Sequence, residues 1–230
     1  MKIIVPLAGP DYFSSSVPKG LKPSTNGKPH LLFTLSSRAW FGSITSDNYY
    51  FVFIDSPLSR AFYENQVSKW LPNSKVVYLS KATNGAALTL LAAVAISAGN
   101  EKESYIVDLA DINFSSNHIP FEKMSNNNIG AMGLYFNSQN PIYSYFELGK
   151  NNYVKKTIEK KVISNLASAG VYGFRNSTIL IDSISHSLKN YSKLMYKDLL
   201  YICPLINGVI STGLDVYISK VENVNDIKLN

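Results

Sequence analysis

The sequence contains few of the residues that most often hold metals or attack substrates. Of its 230 residues, one is cysteine and three are histidine. The single Cys203 excludes a disulfide within the chain and a zinc site built from cysteines, so a reducing, cytoplasmic setting is expected. His30, His118 and His186 show no metal-ligand spacing and are expected to be surface or packing residues. Cys203 precedes Pro204 in an apolar segment, which indicates a buried thiol rather than a nucleophile.

Charged residues and long apolar runs are also scarce. Charged residues make up 17% of the chain and hydrophobic residues 46%, which is typical of a globular protein. The formal net charge of +6 favours acidic ligands such as phosphates. The lysines are scattered, however, and their densest group is Lys155, Lys156, Lys160 and Lys161. The longest apolar run, residues 86–98, is too short to span a bilayer. We therefore expect neither a nucleic-acid nor a membrane partner.

The first half of the chain alternates short apolar strands with helices. Strands are predicted at residues 3–7, 49–54, 75–79 and 105–110, and helices at residues 30–41, 57–71 and 83–97. This order predicts an α/β fold, a Rossmann-like three-layer sandwich whose central sheet is mixed and mostly parallel. In such sheets, ligands bind at the carboxyl ends of the strands.

The second half is richer in strands. They are predicted at residues 129–136, 144–148, 153–160, 169–174 and 216–221, with a hairpin turn at 149–152. Helices are expected at residues 177–188 and 198–210, the latter interrupted at Pro204. No linker or internal repeat is visible, and the length suits one domain. We therefore predict a single domain that spans residues 1–230.

The long loop at residues 9–29 is the first candidate site. It follows the first predicted strand and carries glycine, proline and lysine. The backbone amides around Gly9 could approach a phosphate, and Lys19 could neutralise charge that develops on it. An ordinary surface loop would have a similar composition.

The start of the third predicted helix is the second candidate. Thr83 or Asn84 could cap this helix, and Gly85 would let a flat base approach the backbone. The alanines that follow could instead serve only close packing of the helix on the sheet.

Acidic and basic residues after two strands form the remaining candidates. Asp111 ends an apolar strand, where a carboxylate can bind Mg²⁺ or serve only the local structure. Asp108 lies within the same strand and needs a partner if it points inward. Glu159 could bind sugar hydroxyls and Lys160 a phosphate, provided that the strand bends between them, although a charged surface edge would look the same.

These segments occur in the order in which the sugar-phosphate nucleotidylyltransferases carry theirs, and the chain resembles that family along most of its length. The matching segments are Pro18-Lys19, Gly27-Lys28-Pro29, Gly85-Ala86-Ala87, Ala110-Asp111, Glu159-Lys160 and Ala169-Gly170-Val171-Tyr172. The signature loop of the family has a second glycine and then an arginine, whereas this chain has Asp11 and Phe13.

The resemblance implies that residues 1–112 form a nucleotide-binding half and residues 113–230 a sugar-phosphate-binding half. It implies transfer of a nucleotidyl group from an NTP (CTP, TTP or other) to a phosphorylated small molecule, with Mg²⁺ as cofactor. Surface-polysaccharide (capsular) synthesis and a homo-oligomer are compatible with it. The implied roles are catalysis for Lys19, Asp111 and Lys160; nucleotide binding for Leu7, Ala8, Gly9, Lys19, Asn84, Gly85, Ala86 and Asp108; sugar-phosphate binding for Tyr145, Glu159, Lys160 and Gly170; and metal binding for Asp111 and Asp226, with Asp215 as the other candidate for the second ligand.

Two other functions fit part of the sequence. A glycosyltransferase of the same fold class would use a finished nucleotide sugar and an Asp-x-Asp metal motif, which Asp111-Ile112-Asn113 half fits. A nucleotide-binding regulatory protein without catalysis would explain Asp11 and Phe13 in the signature loop. It would also explain why no Gly-Thr follows Asp226, as it does after the family's metal-binding aspartate.

Overall fold

The computed structural model describes residues 1–9, 12–13, 15–99, 102–116 and 119–226. The strands are β1 (Lys2–Pro6), β2 (Tyr49–Ile54), β3 (Lys75–Leu79), β4 (Tyr105–Asp108), β5 (Ile112–Ser115), β6 (Ile129–Asn137), β7 (Tyr145–Leu148), β8 (Val154–Ile158), β9 (Leu166–Phe174), β10 (Asp215–Lys220) and β11 (Glu222–Asp226). The helices are α1 (His30–Ser36), α2 (Pro57–Phe62), α3 (Ser68–Trp70), α4 (Ala86–Ser97), α5 (Ser177–Lys189), α6 (Tyr191–Leu194) and α7 (Leu205–Ser211). A π-helical turn, Tyr63–Val67, joins α2 to α3.

Strands from both halves of the chain form one mixed sheet. Its order is β10-β6-β9-β4-β1-β2-β3, and the β7–β8 hairpin joins it through β9. β1 runs parallel to β2 and β4, β2 runs parallel to β3, and β10 runs parallel to β6. β9 lies antiparallel between β4 and β6. The mixed, mostly parallel sheet is the one that the sequence predicts.

Helices cover both faces of this sheet. The side chains of β1 alternate, so that Ile3 and Val5 join one buried layer and Ile4 joins the other. The first layer includes Leu31 and Leu35 of α1, and the second includes residues of α4, α5 and α7. Each fully buried Leu, Ile or Phe side chain contributes roughly 1.5–3 kcal/mol. The predicted three-layer arrangement is confirmed. Among the described helices, none is both long and apolar enough to cross a membrane.

Local signals explain where several helices begin. The Ser56 hydroxyl accepts a hydrogen bond from the Ser59 amide at 3.1 Å, and Pro57 occupies the first helical position of α2. The Asn176 side chain accepts from the Ile179 amide at 2.9 Å and caps α5. The prediction that Thr83 or Asn84 caps α4 is wrong. The residue before the helix is Gly85, which has no side chain to accept from the first amides.

The fold differs from the prediction in two further places. Residues 198–203 are not helical: Lys197 and Asp198 have positive φ angles of 50° and 60°, and Tyr196 pairs with Leu199 as an isolated bridge. Strands β5 and β11 were not predicted, and they pair antiparallel as a separate two-stranded sheet. The hydrogen bonds of Leu200 with Asn84 and Ala87 and the pairing of β5 with β11 join distant segments, and the local pattern of apolar residues does not contain such contacts.

We expect Gly208→Ala to destabilise the fold by about 1–3 kcal/mol, the usual range for overpacking. Gly208 lies where α7 meets α5, and an added Cβ would stand 2.7 Å from the Cα of Ser183 and 2.8 Å from its carbonyl oxygen. Because backbone cannot swing aside as a flexible side chain can, the helices must separate. Urea denaturation followed by circular dichroism measures the loss.

Gly42→Ala is the matched control for that measurement. A Cβ at Gly42 meets no atom within 4 Å, so its stability should stay within about 0.5 kcal/mol of the parent. Equal stability of both variants would contradict the close packing of α5 on α7.

Candidate functional site

A cleft of about 630 Å³ opens at the carboxyl edge of the parallel strands. Lys19, from the loop after β1, and Asp111, from the turn after β4, both line it. The other lining residues are Tyr12, Gly20, Lys22, Pro23, Ser24, Thr25, His30, Leu31, Phe33, Ala110, Asn113 and Asn225. The structure therefore brings together two of the three predicted catalytic side chains.

Aromatic packing holds the loop that carries Lys19. The Phe13 ring lies 5.6 Å from the ring of Phe53 and 6.1 Å from that of Phe62, both edge-on. The carbonyl of Tyr12 accepts from the Lys19 amide at 3.1 Å. Phe13 stands where the family signature has an arginine, so this position supplies apolar packing rather than positive charge. Asp11, the other departure, lies outside the described residues, as does His118.

The structure gives Asp108 a different role from the predicted nucleotide contact. Its carboxylate is fully buried and accepts from Arg38 Nε at 2.7 Å and from Arg38 Nη2 at 3.0 Å. It also accepts from the amide of Ala110 at 2.9 Å. The partner that an inward-pointing Asp108 requires is thus Arg38, which the sequence did not reveal.

His30 belongs to the cleft, although the sequence suggested only a surface or packing role. It is the first residue of α1, directly after Gly27-Lys28-Pro29, and that position was the available signal. Burial lowers the pKa of His30, and the charge of Asp111 partly offsets this shift. The charge of Asp111 also adds to the burial that raises the pKa of Tyr12. His30 Nε2 is buried and has no hydrogen-bond partner among the described residues.

Oxygen donors on this edge suit Mg²⁺ better than a metal that needs a full protein cage. Asp111, Asn113 and Asn225 line the cleft, and Asn113 lies directly opposite Asn225 across the β5–β11 pair. Within the described ranges, no three His, Cys, Asp or Glu side chains gather as a metal site. Mg²⁺ is commonly held by one or two carboxylates together with substrate phosphates, so this donor set fits the ion.

The two candidates for the second metal ligand lie elsewhere. Asp226, in β11, is buried, only 7% exposed, and lies opposite Ile112 of β5. Burial and a hydrogen bond to Asp226 raise the pKa of Tyr143, so that carboxylate faces Tyr143. Neighbouring residues of a strand face opposite sides, and Asn225 is the one that lines the cleft. Asp215 starts β10, at the amino edge of the sheet.

Backbone atoms cover the predicted base-binding position at the start of α4. A Cβ added at Gly85 would collide with the backbone of Leu200, and φ at Gly85 is 115°. The amide of Leu200 donates to the Asn84 carbonyl at 2.9 Å, and the Leu200 carbonyl accepts from Ala87 at 3.1 Å. The backbone of Leu200 therefore fills the space beside Gly85 in which a base was predicted to bind.

Glu159 and Lys160 form a second polar cluster. β8 ends at Ile158, and Lys160 has φ of 53°, so the predicted bend between them is present. The carboxylate of Glu159 is mostly buried, accepts from Ser144 and lies 3.6 Å from Lys160 Nζ. Lys160 also donates to the carbonyl of Ile142. Neither Glu159 nor Lys160 is among the residues that line the cleft.

Tyr145 and Gly170 each make a hydrogen bond within the protein. Tyr145 is fully buried and donates its hydroxyl to the Asn140 carbonyl at 2.8 Å, which corrects the prediction of a sugar-phosphate contact. Gly170 has φ of 75°, and its carbonyl accepts from the Leu109 amide at 3.0 Å. Gly170 thus adjoins the turn that carries Asp111. Of the other predicted nucleotide contacts, Leu7 and Ala8 are buried beside β2, and Gly9 is exposed.

No family model matches the sequence, and neither does any curated protein. Solved structures do share the fold. A nucleoside-diphosphate-sugar pyrophosphorylase from Vibrio cholerae RC9 gives a TM-score of 0.81 at 21% identity, over 97% of this chain and 94% of that one.

Two further solved structures are similar along most of their length. One, from Bacillus anthracis and assigned as a glucose-1-phosphate thymidylyltransferase, was solved with sucrose and gives a TM-score of 0.71 at 17% identity, over 98% of this chain and 89% of that one. The other, a UDP-glucose pyrophosphorylase complexed with UDP-glucose, gives 0.63 at 15% identity, over 96% of this chain and 90% of that one. The predicted resemblance to this class of protein is thus confirmed at the level of the fold.

We expect Cys203 to resist thiol reagents in the native protein. It is 1% exposed, and burial raises its pKa to about 12, so almost no reactive thiolate forms at pH 8. A disulfide reagent such as DTNB should modify it at least about 100-fold more slowly in the native protein than after unfolding in guanidinium.

A Gly42→Cys variant provides the control, because residue 42 is exposed and has open space around it. It should release one rapid equivalent of the coloured thiolate under native conditions. A rapid equivalent from the parent protein would contradict the buried position of Cys203.

Proposed function

We propose that this protein transfers a nucleotidyl group from an NTP to a sugar phosphate and releases pyrophosphate. The observation that carries the proposal is the shared cleft of Lys19 and Asp111 at the carboxyl edge of the parallel strands. Ligands of open α/β sheets bind at this edge. The fold shared with pyrophosphorylases supports the same class of reaction.

The proposed reaction needs no nucleophile from the protein. An oxygen of the sugar phosphate attacks the α-phosphorus of the NTP and forms a new P–O bond. The bond from the α-phosphorus to the oxygen that bridges it to the β-phosphorus breaks, and that oxygen leaves with pyrophosphate. The protein then contributes position and charge, which are the main terms in phosphoryl chemistry of this kind.

We assign the nucleotide phosphates to the part of the cleft that Lys19 lines. An ammonium group there offsets the negative charge that moves onto the leaving pyrophosphate. Asp111 would hold Mg²⁺, and the ion would supply charge screening between the two phosphorylated substrates. His30 adds a polar group to the same surface. Gly9 and Asn84, both exposed, complete the proposed nucleotide contacts.

We assign the sugar phosphate to Glu159, Lys160 and Gly170. The carbonyl of Gly170 accepts a hydrogen bond from the amide of Leu109, two residues before Asp111. Gly170 is thus near the turn that carries Asp111, which supports a second substrate close to the first. Lys160 would meet the phosphate and Glu159 the sugar hydroxyls. The proposed setting is cytoplasmic, and the product would be a nucleotide sugar for surface polysaccharides.

Pyrophosphate release tests the proposal. Purified protein is mixed with Mg²⁺, each of the common NTPs and a panel of sugar 1-phosphates, and pyrophosphate is measured by a coupled assay. One productive pair is the expected result. Transfer of sugar from a nucleotide sugar to an acceptor would instead indicate a glycosyltransferase. NTP binding without turnover for any sugar phosphate would indicate a regulatory protein, and either outcome would contradict the proposal.

We expect Lys19→Ala and Asp111→Asn each to lower kcat/KM by about 100- to 1,000-fold, because each removes a charge that faces the reacting phosphates. Steady-state pyrophosphate release measures the loss, and thermal unfolding checks that both variants remain folded.

Lys28→Ala is the control for this pair. Lys28 lies on the same loop, is exposed and does not line the cleft. It carries the same charge as Lys19, so its activity should stay within about twofold of the parent if position matters rather than net charge. Full activity of Lys19→Ala would contradict the assigned role.

A further inference from the structure

We propose that Arg38 is a positioning residue that acts through Asp108 to set the backbone on both sides of Asp111. The inference rests on the proposed function, since it assigns Arg38 a role in presenting the carboxylate of Asp111. Arg38 itself does not line the cleft.

Hydrogen bonds from one ion pair reach both neighbours of Asp111. On one side, Asp108 Oδ1 accepts from the Ala110 amide at 2.9 Å. On the other side, Arg38 Nη2 donates to the Ile112 carbonyl at 3.0 Å. Arg38 and Asp108 are themselves joined by hydrogen bonds of 2.7 Å and 3.0 Å between the guanidinium and the carboxylate. One backbone group on each residue next to Asp111, the Ala110 amide and the Ile112 carbonyl, is therefore bonded to a single charged pair.

The backbone between these bonds has a conformation that the chain would not adopt by itself. Ala110 has φ of 52°, in the left-handed region that residues with a Cβ rarely occupy. Such a conformation persists only where surrounding contacts impose it. The hydrogen bond from the Ala110 amide to Asp108 is such a contact, and it turns the chain so that Asp111 enters the cleft.

Burial of the pair indicates a role in geometry rather than in stability. The side chains of Arg38 and Asp108 are 1% and 0% exposed, and the guanidinium lies 3.9 Å from the ring centre of Phe114. Desolvation of two charges largely cancels their attraction, and apolar replacements of buried pairs are often as stable as the original. The pair therefore serves to fix one conformation of the turn that carries Asp111.

The pair also joins two walls of the cleft. Arg38 follows α1 by two residues, and α1 carries His30 and Phe33 into the cleft. Asp108 ends β4, from which the turn with Asp111 departs. The same contact therefore relates the wall at α1 to the wall at Asp111.

The test compares the parent protein with a double variant, Arg38→Met with Asp108→Leu, which removes both charges and keeps similar volumes. Hydrogen exchange at the amide of Ala110 should accelerate by at least about 10-fold, because its acceptor on Asp108 is gone, and exchange at the neighbouring amide of Asp111 should follow as the turn loosens. The matched control is Arg60→Met with Asp55→Leu, which removes a surface ion pair of the same bidentate geometry, with bonds of 2.7 Å and 2.9 Å. The control should leave exchange at these amides unchanged.

Arg38→Lys is the second variant, for the case in which the double variant does not fold. It keeps the positive charge but cannot supply the same fork of donors to Asp108 and Ile112. Exchange at Ala110 and Asp111 should again accelerate. Parent-like exchange at these amides in any folded variant of Arg38 would overturn the proposal.

Kinetics separate positioning from a general loss of structure. If Arg38 acts through Asp111, the double variant should lower kcat at least about 10-fold, while KM for the sugar phosphate changes less than about threefold. Asp111→Asn should then cost much less in the double variant than in the parent. Independent, multiplicative losses would overturn the proposal. If the parent releases no pyrophosphate, the proposed function fails, and the exchange comparison still decides whether Arg38 orders the turn.

Discussion

The parallel alignment of β1 with β4 is the constraint on which the cleft depends. Ile3 lies opposite Ile106 and Ile4 opposite Val107, so both strands end at the same edge of the sheet. The loop after one strand and the turn after the other then have to meet, although Lys19 and Asp111 are far apart along the chain. Apolar layers on both faces hold this register, because a shift by one residue would exchange the two buried faces of β1.

Aromatic packing holds the loop at this edge of the sheet, and a few charged side chains line the cleft. Phe13 anchors the loop after β1 by packing against Phe53 and Phe62 and brings no charge to it. Positive charge in the cleft comes instead from Lys19 and Lys22. The negative charge of Asp111 is presented by a turn whose neighbouring charges, Arg38 and Asp108, neutralise each other out of contact with water. The field in the cleft is thus set by Lys19, Lys22 and Asp111, because the Arg38–Asp108 pair beside them carries no net charge.

Much of the fold could be predicted from short-range pattern. The bounds of β2 and β3 match the predicted ones, Tyr49–Ile54 and Lys75–Leu79, because continuous β-branched and aromatic runs between polar turns leave few alternatives. Residues 198–203 form turns instead of the predicted helix, since Asp198 has a positive φ and the hydrogen bonds of Leu200 with Asn84 and Ala87 hold the segment against the start of α4. β11 was missed because its partner, β5, lies more than a hundred residues earlier in the chain. Pairing over such a distance leaves no trace in local periodicity.

For the site, local sequence is enough to place the chemical groups at the carboxyl ends of β1 and β4. Lys19 and Asp111 follow from the order of strands, because every parallel strand releases its loop at the same edge. Folding alone establishes that Asp108 is paired with Arg38, that Tyr145 is buried, that the backbone of Leu200 packs on Gly85, and that His30 lines the cleft. The direction of a side chain depends on what packs against it, and those neighbours come from parts of the chain that only folding brings close.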